Sequence, residues 1–304
     1  MVTPEPRHDE PLILDGLSGL VGRYDAVFCD VWGVIHNGRA RFPAACDALA
    51  RFRAAGGTVI LITNAPRPSR PILEQLEALN VPRTTFDHMV TSGDVTLGFI
   101  GARKAAPLHH IGPERDLTLF QIAAEQTGIE PRLVPLAEAE YVVVTGLFDD
   151  QTETPDDYAG DLGKMRARGL DMISANPDLV VHVGDQLIYC AGALAQAYEA
   201  LGGRVLQAGK PFAPIYERAL ALASERRGGL IARERILAIG DAMRTDIAGA
   251  VDFGADSLFI TSGIHRDELH PGDTSRPELD RVAYAQFLGE ASCRPTMAMA
   301  ELIW

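Results

Sequence analysis

The chain has 304 residues, 47% of them hydrophobic, which is ample for one large buried core or two ordinary ones, so a globular protein is expected. The formal net charge of −13 and a pI near 5.0 argue against a broad nucleic-acid surface or an anionic-membrane surface, either of which needs clustered Lys and Arg. No apolar run approaches the roughly 20 residues of a membrane helix. The start, "MVTPEPRHDEP", lacks the basic and apolar regions of a secretory signal, so a cytoplasmic protein is the expectation.

Along the chain, "AVFCDV" from Ala26 reads as a first buried strand. "FPAACDALARFRAAGG" follows as a helix opened by Pro43 and closed by Gly56 and Gly57. "TVILITN" is a second strand, "SRPILEQLEALN" a helix, and "HMVTS" a third strand running into "GDVTLGFIGAR". Strand-length apolar runs alternating with amphipathic stretches predict βαβ units and a doubly wound parallel sheet, an α/β fold.

From about Lys104 the chain reads as a second α/β module. It comprises "LHHIGP", the helix "LTLFQIAAEQTG", the β-branched "AEYVVVTGLF", the helical "PDDYAGDLGKMRARG", then "LDMISANPD" and the short strand "LVVHVG". After "GGRVLQAGKP" the first rhythm resumes with helix "PIYERALALASERRG", strand "RILAIGD", helix "TDIAGAVDFG" and strand "DSLFITSG". The later strands complete the earlier pattern, so an insertion is expected: core over 1–103, inserted domain over 104–206, and the rest of the core with the tail over 207–304. The tail from His265 turns from polar to apolar and is expected to wrap back onto the core.

The four cysteines, Cys29, Cys46, Cys190 and Cys293, lack zinc-site spacing or disulfide density and read as reduced thiols. His109, His110, His182 and His265 lack ligand spacing with one another and read as structural or surface residues. Among 28 basic residues only Lys104, Lys164 and Lys210 are lysines, so a lysine in a motif gains weight.

Asp30, Asp241 and Asp246 stand at or just beyond the ends of predicted strands, and a parallel sheet brings all strand C-termini to one edge, where ligands bind. Carboxylates meeting there repel unless a cation neutralises them, and Mg²⁺, a hard ion taking oxygen ligands, suits such a group. Taken singly, each aspartate also reads as an ordinary helix N-cap. "LITN" ends in Thr63 and a turn at Asn64 and Ala65 whose backbone N–H groups could cradle a phosphate-sized anion; equally, Thr and Asn end strands simply to make turns. Lys210 in "AGKP" reads as a phosphate grip or as a solvated loop lysine.

Taken in order, Asp30 within "DVWGV", Thr63 within "LITN", Lys210 within "GKP" and "GDAMRTD" resemble the four motifs of the haloacid dehalogenase (HAD) superfamily. The intervals are similar to those of its subfamily IIA, which includes nitrophenyl-phosphatase-like and sugar-phosphatase-like enzymes. "GVIHNG", "TSGDVT", "NPD" at Asn176 to Asp178, "CAGAL" from Cys190 and "TSG" from Thr261 extend the resemblance across roughly Asp25 to Gly263. It implies a Rossmann-like core with an inserted α/β cap that selects the leaving group, and hydrolysis of a small phosphorylated metabolite through an aspartyl-phosphate on Asp30. It further implies Mg²⁺ held by Asp30, the Trp32 carbonyl, Asp241 and, directly or through water, Asp246. Thr63, Asn64 and Lys210 would bind the phosphoryl group, Asn176 and Asp178 the substrate from the cap side, and cap-mediated homodimers occur in such enzymes.

Trp32 departs from the pattern, because the phosphatases the chain resembles usually carry there an aspartate that protonates the leaving alcohol and later deprotonates water. A carbonyl survives any substitution, whereas an indole N–H is no acid near neutrality. Losing such assistance typically costs about 10²–10⁴-fold, which biases turnover toward aryl or acyl phosphates. His36 in the same loop is the candidate substitute acid–base, since imidazole titrates near neutrality; the alternative is a polar flap residue. Two further readings stand beside the phosphatase: a phosphate-ester-binding protein with little turnover, and dehalogenation, which the paired aspartates disfavour because that reaction uses no metal.

Overall fold

The computed structural model describes residues 11–183, 186–270 and 279–304. The strands are β1 (Leu12–Ile13), β2 (Ala26–Cys29), β3 (Thr58–Thr63), β4 (His88–Thr91), β5 (Leu108–Ile111), β6 (Tyr141–Val144), β7 (Asp171–Ser174), β8 (Val180–Val183), β9 (Gln186–Tyr189), β10 (Arg204–Gln207), β11 (Ile236–Gly240), β12 (Asp256–Ile260) and β13 (Met297–Met299). Two compact units result. One gathers the chain up to Leu61 with Leu79–His88 and Leu222–Trp304, and the other Ile62–Ala78 with Met89–Ala221.

The larger sheet has the order β1-β13-β12-β11-β2-β3-β4. Its central strands are apolar at nearly every position, "AVFC", "TVILIT" and "ILAIG", and every one of these residues is buried, as expected of parallel strands covered on both faces. β2 lies between β3 and β11, with Ala26 opposite both Thr58 and Ile236. All three run parallel, so the ends of β2 and β11 share one edge although more than 200 residues separate them in the sequence. The helix Pro43–Ala54 starts with its proline in the first turn and buries Ala45, Ala48, Leu49 and Phe52. The tail does return to the core. β13 pairs with both β1 and β12, while Leu269, Tyr284 and Leu288 pack against Phe259.

The second unit holds its own parallel sheet, β10-β7-β6-β5, built wholly from residues between Leu108 and Gln207. Val142, Val144 and Met172 pack with Leu162, Met165 and Tyr198 on one face, and Tyr141, Val143 and Ile173 with Leu119, Phe120 and Ile100 on the other. β8 and β9 form a separate antiparallel hairpin. Only the strand "LVVHVG" is apparent from the sequence there; β9, "QLIY", is too short to read. The helix Ser92–Ala102 begins at a reciprocal cap in which Thr91 Oγ1 accepts from the Asp94 N–H and the Asp94 carboxylate accepts from the Thr91 N–H. The N-terminal stretch read for a signal, residues 1–10, and part of the tail, residues 271–278, lie outside the described residues. Among the described residues no helix is long and apolar enough to cross a membrane.

Candidate active site

The first unit builds a carboxylate cluster. Asp30 directly follows β2, its N–H donating to the Ile239 carbonyl at 2.8 Å, and it is only 8% exposed. Asp241 directly follows β11, and Asp246 lies in a single π-turn, Met243–Ile247, where the sequence pattern suggests a regular helix from Thr245. The α-helix proper starts only at Ala248, and the wider turn lets Asp246 Oδ2 accept from the Ala242 N–H at 3.1 Å. Asp241 Oδ2 accepts from the Ile264 N–H at 2.8 Å. All three aspartates are buried and each offers a carboxylate oxygen within 4.8 Å of the others.

Glycines make room for this cluster. A β-carbon on Gly33 or Gly263 would strike the Asp241 carboxylate, and one on Gly240 would strike that of Asp246. Gly33 has φ +83°, a conformation that side chains rarely adopt. The "GDAMRTD" and "TSG" stretches are therefore fitted around Asp241 and Asp246 by close backbone approach.

The loop after Asp30 is tightly bonded. The Ile35 N–H donates to the Val31 carbonyl, the Gly33 N–H to the His36 carbonyl, and the Phe42 N–H to the Ile35 carbonyl. Val31, Val34 and Ile35 are buried, whereas Trp32 is 45% exposed. His36, the candidate substitute acid–base, stands in this loop. It is 4% exposed, and its Nδ1 accepts from the Gly38 N–H at 2.8 Å. A backbone N–H can only donate, so the neutral ring carries its proton on Nε2. Burial holds its pKa below the usual histidine value, so the ring is neutral near pH 7 and its basic nitrogen is already engaged. His36 thereby pins the loop that carries Trp32.

The second unit gathers Thr63, Asn64, Asn176, Asp178 and Lys210, and Asn64 is the hub. Its Oδ1 accepts from the Lys210 N–H at 2.7 Å, while its Nδ2 donates to the Lys210 carbonyl at 3.0 Å and to Asp178 Oδ1 at 2.9 Å. Asn176 Oδ1 accepts from the Asp178 N–H at 3.0 Å, which fixes the "NPD" turn. Lys210 is 2% exposed, so it is not the solvated loop lysine that the sequence also allowed. A β-carbon on Gly209 would strike Ser92 and Asn64, which explains the glycine of "AGKP". The Ala65 N–H donates to Thr63 Oγ1 at 3.3 Å.

Another polar group in this unit escaped sequence reading. His110 Nε2 lies 2.9 Å from Thr145 Oγ1, the Thr145 hydroxyl bonds the buried Asp116 carboxyl, and Gly112 leaves space for both His110 and Thr145. Burial lowers the pKa of His110 to about 4, with the neighbouring His109 adding to the effect, so the ring is neutral. No spacing in the sequence signals this trio; only the pairing of β5 with β6 brings it together. Of the other histidines, His109 bonds the Val134 carbonyl, His265 packs against Phe259 and Phe287, and the side chain of His182 lies outside the described residues.

Comparison with known proteins identifies the group to which the chain belongs. A haloacid dehalogenase-like hydrolase family matches residues 27–125, and a HAD-hydrolase-like family matches residues 207–284. A hydrolase of the haloacid dehalogenase-like family from Brucella suis 1330 shares 44% identity and superimposes with a TM-score of 0.80 over 96% of this chain and 100% of its own. The chain belongs to the haloacid dehalogenase-like hydrolases. This hydrolase also shares its fold with the p-nitrophenyl phosphatase of Archaeoglobus fulgidus, at 21% identity and a TM-score of 0.69 over 90% of this chain and 95% of that one. In sequence it is 24% identical to the 5'-nucleotidase YutF of Bacillus subtilis (strain 168), over 84% of this chain and 93% of that protein. The ribonucleotide monophosphatase NagD of Escherichia coli (strain K12) is likewise 24% identical, over 78% and 88%.

Proposed function

We propose that this hydrolase releases phosphate from small phosphate monoesters through a phosphoenzyme on Asp30. The observation that carries the reading is the buried convergence of Asp30, Asp241 and Asp246 at the strand ends of one sheet edge, in a chain whose named relatives include phosphatases. Three buried carboxylates with oxygens this close are costly without a counter-charge, and their all-oxygen donor set in a glycine-lined cradle fits a small hard cation. Asp30, Asp241, Asp246 and the Trp32 carbonyl would hold Mg²⁺. Once bound, that ion would offset the carboxylate charge and the charge gathering on phosphoryl oxygens.

In the first step an Asp30 carboxylate oxygen attacks phosphorus and the bond from phosphorus to the ester oxygen breaks. The leaving group departs with the electron pair and takes its proton from water. Water then adds to the Asp30 acyl phosphate, releasing inorganic phosphate and the free carboxylate. Thr63 and Lys210 would grip the phosphoryl oxygens, and Asn64 holds the Lys210 backbone in place for this. The inserted segment, residues 104–206, would act as the cap that chooses the leaving group, with Asn176 and Asp178 on the substrate side.

No side-chain acid stands at position 32, so the favoured substrates are esters whose leaving group departs without a proton. The test is phosphate release with Mg²⁺ from aryl, acyl and sugar phosphates by wild type, Asp30→Asn and Trp32→Asp. The expected pattern is turnover of aryl and acyl phosphates, loss of more than 10³-fold in Asp30→Asn, and a gain on sugar phosphates in Trp32→Asp. A wild type inert toward every ester would instead support a phosphate-ester-binding protein.

A further inference from the structure

The phosphohydrolase reading fixes what Trp32 takes away, and the fold indicates what it adds. The indole belongs to a loop whose other apolar residues, Val31, Val34 and Ile35, are buried, while Trp32 itself remains 45% exposed. The indole Nε1 lies 3.4 Å from where a β-carbon on Gly38 would stand, and Gly38, at φ +83°, is tied to His36 Nδ1. The backbone on both sides is pinned by the Gly33–His36 and Val31–Ile35 bonds. Consecutive Cα atoms are about 3.8 Å apart, so the Cα atoms of Trp32 and Asp30 lie at most roughly 7.6 Å apart, which is about the span of an aryl phosphate.

We infer that the Trp32 side chain is a specificity determinant, a platform on a pinned loop on which the aromatic ring of an aryl phosphate stacks while Asp30 takes its phosphoryl group. This rests on the phosphohydrolase reading and narrows its substrate class. Two independent properties of one residue select the same molecules. Lack of an acid favours leaving groups that are stable as anions, such as phenolates, because a phenol ionises near pH 10 and an alcohol far higher. A half-exposed indole favours a flat π-system. Acyl phosphates satisfy only the first condition and nucleoside 5'-monophosphates only the second, since their leaving group is an alcohol. Phenolic phosphates satisfy both.

The test compares kcat/KM for 4-nitrophenyl phosphate, acetyl phosphate and AMP, with Mg²⁺, in wild type, Trp32→Phe and Trp32→Leu. A second readout is independent of turnover. The chain has two tryptophans, Trp32 and Trp304, so in a Trp304→Phe background the emission reports Trp32 alone, and phenylphosphonate is titrated against methylphosphonate. Wild type should favour the aryl over the acetyl ester and turn AMP over least. Trp32→Phe should keep the aryl-to-acetyl ratio within about threefold, while Trp32→Leu lowers it by roughly tenfold, mainly through KM. Phenylphosphonate should quench Trp32 emission and methylphosphonate should not.

An aryl-to-acetyl ratio unchanged in Trp32→Leu, with emission indifferent to phenylphosphonate, would overturn the platform and leave the phosphohydrolase standing. Quenching by phenylphosphonate without hydrolysis of any ester would sustain the platform and overturn the phosphohydrolase. Absence of both responses overturns both.

Discussion

Asn64→Asp is nearly isosteric yet reverses the hydrogen-bond polarity at the hub of the second unit. The new Oδ can still accept from the Lys210 N–H, as Oδ1 of Asn64 does at 2.7 Å. Its other oxygen, replacing a donor, then faces the Lys210 carbonyl and the Asp178 carboxylate, partners now bonded at 3.0 and 2.9 Å. The neutral bond contributes about 1 kcal/mol and the bond to the charged group about 1.5–3 kcal/mol. Like-charge contact with the part-buried Asp178 adds to the loss, giving roughly 3–5 kcal/mol at neutral pH. Urea unfolding followed by circular dichroism should show the midpoint of the transition falling by about 1.5–2.5 M for a slope near 2 kcal/mol/M. A variant within 0.5 kcal/mol of wild type would refute the claim that Asn64 ties the Lys210 loop to "NPD".

The carboxylate cluster and an acid-sensitive ion pair make two further predictions. Mg²⁺ at a hundredfold excess over its dissociation constant should stabilise wild type by about 2.7 kcal/mol in thermal melts. Gly33→Ala, which drives a β-carbon into the Asp241 carboxylate, should abolish that shift, and an undiminished shift would remove the cradle from the account. For Asp87, burial pushes the carboxyl pKa up, but bonds from Arg53 at 2.7 and 2.9 Å and from the Val59 N–H outweigh it, leaving the value below 3.8. A carboxyl whose pKa is depressed in the fold contributes stability above its unfolded value and loses it as pH falls through the folded one. Asp87→Asn should therefore cost about 2 kcal/mol at pH 7 and flatten the acid limb below pH 3.8; identical limbs for variant and wild type would contradict this.

Much of this was legible in the sequence because parallel strands buried on both faces read as unbroken apolar runs. "AVFCD", "TVILITN" and "RILAIGD" place Asp30, Thr63 and Asp241 at strand ends by pattern alone. The π-turn that aims Asp246 was not legible, because "MRTDIAGA" satisfies an ordinary helical pattern and one extra residue per turn leaves no compositional trace. The setting of His36 was not legible for a related reason. Its residue type suggests proton transfer, while its burial and its bond from the Gly38 N–H are not contained in a one-dimensional pattern. The Asp116–Thr145–His110 trio was invisible because it depends on which strands pair. Trp32 was legible as the loss of an acid, and only its exposure beside Gly38 suggests a gain.

The central claim is covalent chemistry at Asp30, and acid-quenching the enzyme during steady turnover of an aryl phosphate tests it most directly. Peptide mapping by mass spectrometry should find a hydroxylamine-labile phosphoryl group on the peptide containing Asp30, present in wild type and absent from Asp30→Asn. Phosphate release that persists in Asp30→Asn, or a phosphoryl group found on another residue, would contradict the account.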